Sequence, residues 1–287
     1  MGFLAACTMI APLVLWSGPS AGASTPTKPA RVTVFGDSLL DQAINSVKLD
    51  TEGVARITQY VFPGTATCDW LAQMAKVAHG RVKPRAVVLE FSGNDSTPCI
   101  SAAAMYSPNF YVHYEDDTQR AISLFTSVGA HVFLVGYPPT FVDVAKQVTQ
   151  WNDLNVLYAL LAQRHGGQVT YVNAQEAVEL DGKFTWTMPC TKDAAHCGED
   201  GSNVVRAEDG QHFCPQPAKV NLARCLTYSS GSSRYGSAIA EAVNQFVKQG
   251  HAPTYIGPQI PPPNTLATVA SNQPNPYLEA ALAKGAK

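Results

Sequence analysis

Five short apolar runs separated by helix-compatible stretches constrain this chain more than any other feature. The runs are RVTVF (31–35), ITQYVF (57–62), RAVVLEFS (85–92), HVFLVGYP (131–138) and VTYVNA (169–174). Rich in Val, Ile, Phe and Tyr and bounded by turn residues, they predict β-strands. Between and after them, helices are predicted over 39–48, 68–79, 113–128, 147–165 and 233–249. Strands that are apolar nearly throughout, alternating with helices, form a parallel sheet covered on both faces. The expected architecture is therefore a three-layer α/β/α sandwich with a parallel five-stranded sheet, in one domain over residues 24–250.

Two segments break the alternation. Residues 97–111 follow the third strand, and residues 181–231 form a Gly- and Cys-rich stretch before the last helix. Loops this long are usually functional or pinned by disulfides. Residues 251–287 are rich in Pro and poor in charge, which predicts a tail or a strap over the surface rather than a second domain. At the other end, MGFLAACTMIAPLVLW is apolar and uncharged, and small residues suited to cleavage follow it up to Ala23. Residues 1–23 thus predict an export signal, although no Lys or Arg precedes the apolar stretch. That stretch is shorter than the ~20 residues a membrane-spanning helix needs, so no stable span is expected in the mature chain. The LAAC box ending at Cys7 lies before the apolar stretch rather than after it, the wrong order for lipid attachment.

Beyond the leader remain Cys68, Cys99, Cys190, Cys197, Cys214 and Cys225. An even set in an exported chain predicts disulfides, with several connectivities open. Proximity favours Cys190–Cys197 and Cys214–Cys225, which leaves Cys68 for Cys99. No C-x-x-C or zinc-ligand spacing occurs, and neither H-E-x-x-H nor a Walker loop is present, so no metal or other cofactor is expected. A net charge of -2 without a long basic run sets nucleic-acid binding aside.

In open α/β sheets ligands collect at the carboxyl ends of the strands, and three of the predicted ends are distinctive: FGDSL, VFPGT and FSGND. Ser38 starts a helix directly after a strand, where the helix dipole and backbone N–H groups favour a developing anion. The same corner suits a simple capping serine. Gly64 permits close backbone approach or a positive φ, and the Asn94 side chain offers an amide donor. A nucleophilic serine needs a base. His131 begins a strand, while His79 and His165 sit at helix ends, where the dipole explains them. His212, three residues after Asp209 just upstream of the final helix, has the spacing for a carboxylate-oriented imidazole. His196, three after Asp193, has the same spacing. There is no G-x-S-x-G elbow, which argues against an ordinary α/β-hydrolase lipase.

Taken in order, GDSL around Ser38, Gly64 on the next strand end, GND with Asn94, and Asp209-x-x-His212 resemble the blocks of the SGNH/GDSL hydrolases. The resemblance covers about residues 31–249. It implies a flavodoxin-like fold and a serine esterase without cofactor. Ser38 would be the nucleophile, His212 the general base and Asp209 its orienter, and the match favours His212 over His196. The oxyanion hole would comprise the backbone N–H groups of Ser38 and Gly64 and the Asn94 side chain. Cys214, two residues after His212, departs from the pattern. Paired with Cys225 it would staple the catalytic loop, and Cys68–Cys99 would tie the Gly64 and Asn94 loops together.

The implied partner is a small-molecule ester, lipid or acylated carbohydrate, with short acyl esters expected. An O-acyltransferase or deacetylase of cell-envelope carbohydrate is one alternative, and a catalytically idle carbohydrate-binding relative another. Tyr106, Phe110, Tyr111, Phe184 and Trp186 are candidates to line the pocket. The expected location is secreted or in the cell envelope.

Overall fold

In the computed structural model, the apolar runs become strands buried along almost their whole length. β1 (Ala30–Gly36), β3 (Ala86–Glu90), β4 (His131–Val135) and β5 (Val169–Val172) carry hardly an exposed residue. β2 (Ala55–Val61), at the edge, alternates between half-buried and exposed positions at its start. The structure describes residues 28–100, 108–191, 197–214, 230–257, 260 and 264–270. The leader 1–23, Tyr106, Asp193, His196 and Cys225 lie outside them.

The sheet has six strands rather than five; with Tyr255–Ile256 as β8, the order is β2-β1-β3-β4-β5-β8, and every pairing is parallel. The extra strand, β8 (Tyr255–Ile256), comes from the Pro-rich segment after the last helix. Two residues were too short a signal to stand out among prolines. β8 pairs with β5 through Tyr171↔Tyr255, whose rings stack at 5.3 Å. Farther on, Phe184 donates to Thr268 O and accepts from Ala270 N, both at 2.8 Å, so residues 268–270 strap onto the body.

Helices α1 (Ser38–Asp50), α2 (Thr67–His79), α3 (Pro108–Thr126), α4 (Phe141–Lys146), α5 (Gln150–His165) and α6 (Ser230–Gln249) follow the strands. The expected helix 147–165 starts only at Gln150, because Gln147 adopts a left-handed backbone where α4, a short helix not expected from the sequence, ends. The expected loop 97–111 gives way to α3 at Pro108. α1 and α6 pack together on one face of the sheet, and α2, α3 and α5 cover the other. Phe35 on β1 meets Tyr60 at 5.0 Å, Phe125 at 5.9 Å and Trp70 at 6.1 Å, joining the sheet to α2 and α3. Such ring pairs are worth about 0.5–1.5 kcal/mol each beyond their burial. No described helix is long and apolar enough to cross a membrane.

In this strand order the chain passes from β1 to β2 on one side and returns to β3 on the other. The carboxyl ends of β1 and β3 therefore flank the switch point, where an open α/β sheet leaves a crevice. Ser38 follows β1 and Asn94 follows β3. Residues 181–191 and 197–214 supply the third wall through a small antiparallel pair, β6 (Thr187–Pro189) and β7 (Ser202–Val204), with the Cys190–Cys197 bridge beside it.

Candidate active site

The cap of α1 is Asp37, not Ser38. Asp37 Oδ1 accepts the Leu39 N–H at 3.0 Å, which leaves Ser38 as the first helical residue with its hydroxyl unused by the helix. The other oxygen, Oδ2, accepts from Ser92 N at 2.7 Å, Ser92 Oγ at 2.6 Å and Asn94 Nδ2 at 2.8 Å. One carboxylate thus fixes both the helix bearing Ser38 and the turn bearing Asn94. Beneath it Glu90 accepts the Leu40 N–H at 3.2 Å, and the Tyr235 hydroxyl lies 3.2 Å away. Burial and then the charge of Asp37 push the Glu90 carboxyl well above the usual range. Burial also raises Asp37, against the lowering pull of its donors from Ser92 and Leu39. With that many donors on Asp37, the charge resides there and Glu90 holds its proton.

His212 Nε2 stands 3.0 Å from Ser38 Oγ, and His212 Nδ1 lies 2.6 Å from Asp209 Oδ2. Asp209 Oδ1 accepts the backbone N–H groups of Gln211 and His212, each at 2.9 Å. Partial burial raises the Asp209 carboxyl, but the hydrogen bonds from His212 and Gln211 outweigh it and hold the group at about 2. The pair's imidazole is therefore oriented by a carboxylate that stays charged at any working pH.

The loop that carries this pair is built tightly. Ala207 donates to His212 O at 2.7 Å, and Gly210 donates to Ala207 O at 2.9 Å. Gly210 has φ +66°, and a Cβ there would come within 2.4 Å of Phe141 Cβ and 3.0 Å of Trp186, so the turn tolerates only glycine. Under it Phe141, Phe184 and Trp186 form an aromatic cluster with centroids 4.9–5.7 Å apart. Phe184 and Trp186 are buried there and support the loop instead of lining a pocket. Phe110 is likewise core, against Tyr114 at 4.7 Å, and the half-buried Tyr111 reaches Asp153.

Two residues that carried no sequence signal hold the loop from behind. Gln42, one helical turn after Ser38, accepts the N–H groups of Phe213 at 2.8 Å and Cys214 at 3.2 Å with Oε1. Arg206 is fully buried, donates to Pro139 O and Val178 O at 3.2 Å, and lies over the rings of Phe213 at 5.3 Å and Phe184 at 5.7 Å. Burial lowers its guanidinium to about 10, which leaves it charged at neutral pH.

Gly64 sits in the exposed turn after β2 with φ +77°, a conformation that a side chain would strain. Its neighbour Thr65 accepts from Asn94 Nδ2 at 3.1 Å, so the structure brings the Gly64 turn and Asn94 together. The Cys68–Cys99 bridge joins the first turn of α2 to the segment beyond Asn94. Cys214 is disulfide-bonded, while Cys225, its expected partner, lies outside the described residues. Among the described residues, Cys68, Asp69 and Cys99 are close enough to suggest a metal cluster, but the bridge engages both sulfurs.

This architecture is the SGNH-hydrolase fold. A candidate acylhydrolase from Bacteroides fragilis superposes with a TM-score of 0.51 at 16% identity, over 77% of this chain and 92% of that one. The catalytic domain of Streptococcus pneumoniae peptidoglycan O-acetyltransferase A gives 0.49 at 16% identity, over 78% and 97%. A GDSL-like lipase from Bacteroides thetaiotaomicron gives 0.48 at 12% identity, over 77% and 89%. By sequence, residues 31–227 match the family described as "Protein of unknown function (DUF459)", and the chain belongs to that family. No curated protein matches it significantly.

Proposed function

We propose that the protein is an exported serine esterase that cleaves short acyl esters through an acyl-enzyme on Ser38. The observation that carries this reading is the continuous chain Ser38 Oγ, His212, Asp209, with links of 3.0 and 2.6 Å. In the first half-reaction Ser38 Oγ bonds to the ester carbonyl carbon while its proton passes to His212 Nε2. The tetrahedral intermediate then expels the alcohol, which takes that proton, and leaves an acyl group on Ser38. In the second half-reaction water gives a proton to His212 and attacks the acyl carbon; the bond from that carbon to Ser38 Oγ breaks, the carboxylic acid departs and Oγ takes the proton back from His212. Developing negative charge on the carbonyl oxygen is met by the N–H groups of Ser38 and Gly64 and by Asn94 Nδ2. The Asn94 proton directed at Thr65 O turns to the oxyanion, while the proton given to Asp37 keeps the amide oriented.

Support for export comes from bridges such as Cys68–Cys99 and Cys190–Cys197, which suit an oxidising compartment. The test is labelling with a fluorophosphonate together with turnover of p-nitrophenyl acetate. Wild type is expected to label and turn over, and Ser38→Ala to do neither. Turnover near the wild-type rate in Ser38→Ala would sink the mechanism, and acyl transfer to an added sugar in place of hydrolysis would make the enzyme a transferase.

A further inference from the structure

Beside the Ser38–His212 pair lies a cleft of about 240 Å³ between the turn after β3 and the segment leading from α4 into α5. Asn94, Asp95, Asp143, Lys146, Gln150 and Gln211 line it. Asn94 and Gln211 are also the residues that flank the reacting groups, one as the amide held by Asp37 and the other as the chain neighbour of His212. The cleft therefore adjoins the reacting groups through Asn94 and Gln211. His212 must hand its proton to the departing alcohol, and Gln211 on the rim puts the cleft on that leaving-group side.

The walls have the wrong chemistry for a hydrocarbon chain. Burying a methylene yields about 0.8 kcal/mol only against apolar surface, and this cleft presents carboxylates, amides and an ammonium group. Asp95 is 7% exposed, its Oδ1 accepts from Ser96, and its Oδ2 has no hydrogen-bond partner among the described residues. A buried acceptor of that kind favours a ligand that brings O–H donors. Two carboxylates, Asp95 and Asp143, against one ammonium, Lys146, disfavour an anionic alcohol such as a phosphorylated head group.

We infer that this cleft binds the alcohol half of the substrate, and that this alcohol is a neutral, hydroxyl-rich, sugar-like group carrying a short acyl ester. The inference rests on the serine-esterase reading and adds the substrate class to it.

The experiment compares acetylated xylo-oligosaccharide with ethyl acetate, and p-nitrophenyl esters from acetate to laurate, on the full-length protein. The sugar ester should exceed ethyl acetate in kcat/KM by at least about tenfold, a modest gain for a site that hydrogen-bonds its substrate. Rates on the p-nitrophenyl series should fall as the acyl chain lengthens. Gln211→Ala and Lys146→Ala, both on the rim, should shrink the sugar preference mainly by raising KM for the sugar ester. A sugar preference near one, an unaltered preference in both variants, or rates rising toward laurate would overturn the substrate class while leaving the esterase intact. Absence of Ser38 labelling and of all ester turnover would remove the esterase reading, and this inference with it.

Discussion

Gln42 Oε1 accepts the backbone N–H of Phe213 at 2.8 Å, so the helix that presents Ser38 also grips the chain one residue beyond His212. Ser38 and His212 come from segments 174 residues apart, and this side chain is one of the contacts, with Arg206, that tie those segments together. Gln42→Leu removes the acceptor and leaves two buried N–H groups without it, each costing about 1–3 kcal/mol. We expect kcat to fall about ten- to a hundredfold, at the scale of a misplaced reacting group, with KM little changed. The proton signal of His212 Nδ1–H should shift in the variant. Wild-type kcat with an unchanged signal would show that packing alone holds the loop.

Asp37 and Asn94 should act as one unit. Asn94→Ala is expected to lower kcat about 10²–10³-fold, the cost of an oxyanion donor. Asp37→Asn can still cap α1 with its carbonyl oxygen but no longer presents a charged acceptor to Ser92 and Asn94. Its loss of kcat should approach that of Asn94→Ala, and the double variant should fall well short of the product. Multiplicative losses in the steady-state kinetics would separate the two residues.

Glu179 gives the fold a pH dependence. Burial, opposed by the nearby Arg206 charge, raises its carboxyl from 4.5 to about 7. A raised folded-state pKa stabilises fully below the unfolded value and loses that contribution as pH rises through the folded one. Wild type should therefore lose stability between about pH 4.5 and pH 7 on account of this group. A shift of this size corresponds to about 3–4 kcal/mol for a buried group. Glu179→Gln should match wild type in thermal midpoint near pH 4.5 and exceed it near pH 8. Equal differences at both pH values would exclude the assignment.

The Cys68–Cys99 bridge closes a loop with a sequence separation of 31. Replacing both cysteines with serine should cost about 3–4 kcal/mol of unfolding free energy in the chain-entropy model. Denaturant titration of the double variant checks this, and a change below about 1 kcal/mol would mean that the unfolded loop is already constrained.

Much of the framework was legible because its signals are local. Ala86 to Leu89 are apolar at consecutive positions and Val32 to Phe35 at all but Thr33, a pattern suited to a doubly covered sheet, and both became inner strands. Ser38, Gly64, Asn94 and the Asp209–His212 pair stood out as candidates by strand end or spacing, and it was the resemblance of their order to the SGNH/GDSL blocks that selected them over the rival His196. What escaped were residues whose role exists only in three dimensions. Gln42 looks like an ordinary helical glutamine until the chain returns to it 171 residues later. Arg206 carried no motif, and burial of a charge against Phe213 and Phe184 cannot be read from a loop sequence. The aromatic pair Phe184 and Trp186 suggested a pocket, yet Gly210 leaves room for them under the turn and they became its foundation. At Ser38 the choice between cap and free hydroxyl was settled by its neighbour, since Asp37 took the capping role.

The pairing of β8 with β5 has a consequence for how this chain can be shortened. Thr254 O and Ile256 O receive the N–H groups of Tyr171 and Asn173 at 2.8 Å. A protein cut after Gln249 would keep every residue placed at the site and still strip those groups of partners. The far rim of the sheet would then lie open, an adhesive border able to recruit strands from other molecules. Residues distant from the chemistry thus act as a guard against self-association, and a trimmed version risks insolubility before it risks inactivity.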